Sequence, residues 1–104
     1  MSTPLEHLNS QVFREQLHTK FTAVSTTAPP VTLELVEVLE RDDSPQMEFF
    51  ALHWLGPITP RLAQQIHRLD HEVLGSVEIF LTPISADQVG TLYEAIFHRF
   101  RNQP

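Results

Sequence analysis

The spacing of apolar residues along the chain changes period once, near residue 20. Before that point it is helical. Asn9 or Ser10 offers an N-cap, and Phe13 and Leu17 stand four apart on one face, with Val12 beside them and Arg14 and Glu15 on the other side. This predicts a short helix over 10–17, preceded by a loose tail over 1–9 that carries Pro4. Beyond it the period falls to two. Lys20–Val24 alternates, Ser25–Pro30 is rich in turn formers, and Val31–Leu35 alternates cleanly. Val36–Glu40 continues in the opposite phase, so the adjacent Leu35 and Val36 predict a β-bulge. A polar turn over 41–46 leads into Met47–Leu55, which is apolar on both sides. Phe49, Ala51 and Leu55 line one face with His53 among them, and Phe50, Leu52 and Trp54 line the other. A strand of this kind needs cover on each face.

Gly56-Pro57 and Pro60 end that strand, and 58–65 fits either a helical turn or a loop. Ile66–Asp70 is predicted as a strand, His71–Gly75 as a turn, Val77–Thr82 as a strand and Pro83–Gly90 as the last long break. Leu92–Phe100 has a helical spacing too, but its aromatic and β-branched content favours a strand. Six such segments with no long helix between them predict a mainly all-β domain over 10–104. Its expected form is a small antiparallel meander closing into a barrel or strongly bent sheet of about six strands, with the short N-terminal helix plugging one end.

Composition narrows the function. A length of 104 residues suits one domain. The absence of cysteine excludes disulfides, thiolate metal sites and cysteine nucleophiles. Seven Lys+Arg against thirteen Asp+Glu, a net charge of -6, argue against nucleic acid as a partner. No apolar run reaches the roughly 20 residues of a membrane-spanning helix, and Met1–His7 lacks the basic and apolar regions of a secretory signal. The expectation is a cytoplasmic protein with neither a membrane nor a nucleic-acid partner.

The candidate chemistry is thin. His67 and His71 form an HxxxH, a zinc pair if helical, but four residues of strand separate them by roughly 13 Å. Arg68 also stands where HExxH has glutamate, so His71 is expected to hydrogen-bond the turn ending at Gly75. The six histidines, at 7, 18, 53, 67, 71 and 98, are scattered, and only a folded cluster would give them a role. Glu34, Glu37, Glu40, Asp42 and Asp43 fit a solvated strand face and turn, an acidic edge that discourages stray sheet pairing. Gly75-Ser76-Val77 lacks the frame of a serine nucleophile, and three scattered glycines cannot build a phosphate-cradling loop. His98-Arg99-Phe100-Arg101 fits a frayed terminal strand, and Trp54, Phe49, Phe50 and Phe80 fit a core. No catalytic, cofactor-binding or metal-binding residue is assigned, and no cofactor is expected.

Four stretches together resemble a known set. They are Val12-Phe13-Arg14-Glu15-Gln16-Leu17-His18-Thr19-Lys20-Phe21, Val31–Val38, the run RLDHEVLGSVEIFLTPI from Arg68 to Ile84, and Tyr93-Glu94-Ala95-Ile96-Phe97. Over about residues 10–98 the chain resembles the bacterial family built on domain of unknown function 6916. Where this chain has His18, that family usually has glycine, which tolerates a left-handed turn better. The resemblance implies no catalytic motif. It does imply an association with phage-tail-collar-like proteins, hence an accessory place in a phage-tail-like assembly. The leading expectation is a non-enzymatic structural or interaction module acting through protein–protein contacts, with a partner protein or a second copy on one face of 47–55. The alternatives are a small-molecule-binding barrel with a hollow lined by Trp54 and Tyr93, and a small hydrolase using Asp/Glu and His.

Overall fold

The computed structural model describes residues 8–41 and 45–100. The predicted tail over 1–9 lies outside them except for Leu8 and Asn9, and so do His7, Asp42, Asp43 and Arg101. Helix α1 (Ser10–Arg14) opens on Asn9, whose side chain accepts from the Val12 amide at 2.9 Å. It is shorter than the expected 10–17. The reason lies in the strand that follows: the His18 amide donates to Leu35 O at 2.6 Å and the Leu35 amide to Thr19 O at 3.2 Å. That pairing pulls the chain out of the helix, and His18 makes the turn with φ 67°. A non-glycine residue there costs about 1–2 kcal/mol, which the usual glycine of the resemblance would avoid.

Six strands follow: β1 (Lys20–Val24), β2 (Val31–Arg41), β3 (Met47–Gly56), β4 (Gln65–His71), β5 (Gly75–Ala86) and β6 (Thr91–Phe100). All their pairings are antiparallel, and they close into a barrel in the order β1-β2-β3-β6-β5-β4. Two three-stranded runs, β1–β3 and β4–β6, are thus joined through β3·β6 and β1·β4 rather than in simple succession. Closure leaves no long open edge to aggregate through. The phase switch at Leu35-Val36 is a bulge, with the β2·β3 register shifting between Leu35 and Glu37. Leu92–Phe100 is a strand, within β6, and 57–64 is irregular loop pinned by the Leu62 amide donating to the Tyr93 hydroxyl at 2.8 Å.

Two boundaries differ from the pattern. β4 runs on through His71, so the turn is confined to 72–74 and is released by Gly75 at φ 79°. β5 also runs through Pro83 to Ala86, where a break was expected. Proline lacks an amide donor, but the β5·β6 register shifts between Pro83 and Ser85, and at a bulge that donor is not needed.

The interior is closed by large side chains. Trp54, Tyr93, Phe13, Phe21 and Phe50 are all fully buried. Trp54 meets Phe13 and Phe21 edge-on, with ring centroids 6.5 and 5.5 Å apart. Phe13 carries α1 onto Phe50 and Phe97, which stack at 4.6 Å. The helix therefore plugs one end of the barrel. Two of the expected core aromatics are not in it: Phe49 is half-buried and Phe80 is 50% exposed. Both stand on the outward phase of their strands, one residue out of step with Phe50 and Ile79.

Candidate functional site

His67 and His71 share the inward phase of β4 but not a ligand. His67 Nε2 donates to Ala63 O at 2.7 Å. His71 Nδ1 accepts the amides of Val73 and Leu74 at 3.0 and 3.1 Å. Its Nε2 lies 2.8 Å from Thr19 Oγ1, and that hydroxyl already donates to Gln16 O. Thr19 must then accept, which fixes the ring as the neutral Nε2–H tautomer. His71 thus ties the β4–β5 turn to the start of β1, the structural role its position suggested. Among the described residues no three of His, Asp and Glu are arranged to hold a metal ion.

Burial holds the pKa of His71 below its ordinary 6.5, against a smaller opposing pull from Glu72. The unfolded chain therefore takes up a proton at higher pH than the folded one. Stability is complete above about 6.5 and falls as the pH drops through that value towards the folded pKa. Urea denaturation at pH 8 and pH 5 should show this loss, and it should be smaller in His71→Leu, which should itself cost about 2 kcal/mol at pH 8 by stranding the two amides. Equal pH dependence in both proteins would refute the assignment.

The acids of β2 do not act together. Glu34 takes Lys20 and His18, and these partners hold its carboxyl below the usual range. Glu40 takes Arg14 at 2.6 Å, on the inner side towards α1. β2 itself lies between β1 and β3 and is not an outer edge of the sheet. Nor does β6 fray: it pairs with β3 as far as Phe100, and Arg99 turns inward to Glu48 at 2.8 Å and over Phe50 and Phe97. Ser76 donates to Asp70 at 2.7 Å, and Arg68 and Ser76 hold the Asp70 carboxyl below its ordinary range.

One carboxylate–histidine cluster does form. His53 Nδ1 lies 3.1 Å from Glu37 Oε1, and Nε2 lies 3.0 Å from Glu94 Oε2. The imidazole thus bridges the two carboxylates. The cluster is on the outer wall of β2, β3 and β6, not in a cleft, and its acids sit on opposite sides of the ring. Trp54 and Tyr93, expected to line a hollow, are both fully buried. A separate cleft of about 240 Å³ opens at the mouth of the barrel between Ala23, Val31, Pro29 and Pro60, with Arg61 and His67 on its rim.

The outer wall carries a further feature. The registers Leu39↔Ala51↔Ile96 and Ile66↔Phe80 set apolar residues side by side across neighbouring strands, and Thr82↔Glu94 puts Phe80 and Ile96 on one face of β5 and β6. Leu39 is 44% exposed, Phe80 50%, Ile96 59% and Ile66 63%. The model of domain of unknown function 6916 matches residues 8–97. The chain belongs to that family. The match covers α1, β1–β5 and β6 as far as Phe97, so the 6916 domain is here a closed antiparallel barrel plugged by a helix. No curated protein and no solved structure matches it. None of the described helices is long and apolar enough to cross a membrane.

Proposed function

We propose that this 6916 domain is a non-enzymatic interaction module that works through protein–protein contacts on its outer wall. The supporting observation is the group Ile66, Phe80 and Ile96, three exposed apolar side chains on the adjacent strands β4, β5 and β6, with Leu39 exposed beyond the buried Ala51 of β3. Single exposed apolar residues are ordinary on a protein surface, but a contiguous group is a contact site. The reading needs no reacting group, and it fits a wall whose acids and histidines satisfy one another. An accessory place in a phage-tail-like assembly is the setting that the family resemblance implies for such a module.

The test is light scattering of the purified protein, together with its co-purifying partners. The module should run above 11.9 kDa or carry a stoichiometric partner, and Phe80→Asp with Ile96→Asp should abolish either. A strict monomer without a partner would refute the reading.

A further inference from the structure

Three strands of the outer wall form a three-by-three array of outward side chains. Across β2, β3 and β6 the first row is Glu37, His53, Glu94, the second Leu39, Ala51, Ile96, and the third Arg41, Phe49, His98. The first row is acidic and locked by its two carboxylate–imidazole contacts. The third carries the Arg41 cation beside two aromatic rings. Arg41 lies over the Phe49 ring at 5.2 Å, and Phe49 meets His98 edge-on at 5.6 Å. The middle row is apolar and dips at Ala51 between two ridges.

We infer that this array is a self-complementary interface and that its occupant is a second copy of this chain. The inference rests on the interaction-module reading and names its partner. Two sheets packed face to face are related by a two-fold axis lying in the plane between them. An axis along the strands would set acidic row against acidic row. An axis along the Leu39–Ala51–Ile96 row instead exchanges the first and third rows. Glu37 then faces Arg41 of the second copy, Glu94 faces His98, and His53 faces Phe49, while the apolar row meets itself. Under that operation Glu37 meets Arg41 instead of Glu94, so charge selects the axis. Because the flanking rows are already held by contacts within the chain, little side-chain order is lost on docking. The array is small beside the roughly 800 Å² each partner gives a standard interface, so the dimer should be weak.

Charge reversal tests the pairing with exposed residues of one strand. Glu37→Arg and Arg41→Glu should each weaken the dimer at least about tenfold, because each sets two like-charge pairs face to face. Mixed in equal amounts, the two variants should recover a species of twice the 11.9 kDa chain mass, since both contacts become Arg–Glu. The double variant should recover it alone. Circular dichroism melts confirm that each variant is folded. The readout is sedimentation equilibrium up to about 100 μM. A wild-type monomer at that concentration with a different protein bound would overturn the second copy but leave the module reading standing. A monomer that binds nothing would overturn both. A dimer indifferent to both reversals, or not recovered by mixing, would overturn the array as its interface.

Discussion

Replacing Trp54 by alanine is expected to cost about 3–5 kcal/mol, a large fraction of the stability that a domain of this size has to lose. The indole is fully buried and stands between Phe13 and Phe21, so it joins the helical plug to β1 through the centre of the barrel. Removing it leaves a void that a closed barrel cannot shrink to fill, because each neighbouring strand is hydrogen-bonded on both sides. Trp54→Phe should cost far less, about 1 kcal/mol. It keeps most of the ring volume and removes an indole N–H that has no hydrogen-bond partner among the described residues, so part of the lost packing is offset. Urea denaturation followed by far-UV circular dichroism measures both, since the chain has one tryptophan and loses that fluorophore in each variant. An alanine variant within about 1 kcal/mol of wild type would mean that the interior is not close-packed.

Much of the architecture was legible in the chain because the physics behind it is local. The bulge in β2 follows from one doubled apolar pair, Leu35-Val36, since a strand cannot keep both on its inner face. The structural role of His71 follows from its place ahead of Gly75. What was not legible depends on register between distant strands. Pro83 looked like a stop because its missing amide is local, whereas the bulge that makes that amide unnecessary belongs to the pairing with β6. The Glu37–His53–Glu94 row is the clearest case. Its members lie 16 and 41 residues apart in sequence, and no periodicity brings them together. The β2·β3 pairing brings Glu37 to His53, and the β3·β6 pairing, which follows from the closed strand order rather than from any segment's pattern, brings Glu94. The same holds for the apolar group, in which Phe80 and Ile96 each look like core residues until the phase of their strands is known.

That closure also sets the second large effect. Gly90→Ala should destabilise the protein by about 3 kcal/mol or more, while Gly56→Ala should cost about 1–2 kcal/mol. The two glycines lie together where β3 ends and β6 begins, with Gly56 paired to Thr91. A β-carbon on Gly90 would run into the carbonyl oxygen of Gly56, a backbone atom, and would also press on Leu55 Cδ1 at 3.2 Å. Neither backbone can retreat. Gly56 is held in the β3·β6 ladder, and Gly90 is held by its amide donating to Asp87 Oδ1 at 3.2 Å and its carbonyl accepting from the Asp87 amide at 3.0 Å. A β-carbon on Gly56 meets side chains instead: Leu33 Cδ2 at 2.6 Å and Tyr93 Cε2 at 3.3 Å. A leucine methyl can rotate away at the cost of a poorer rotamer. The order of the two losses, measured by the same denaturation, reports whether β3 and β6 approach as closely as the barrel requires. If Gly90→Ala proved the milder change, that end of the β3·β6 seam would have to be more open, and the register that carries the outer-wall array would lose its anchor.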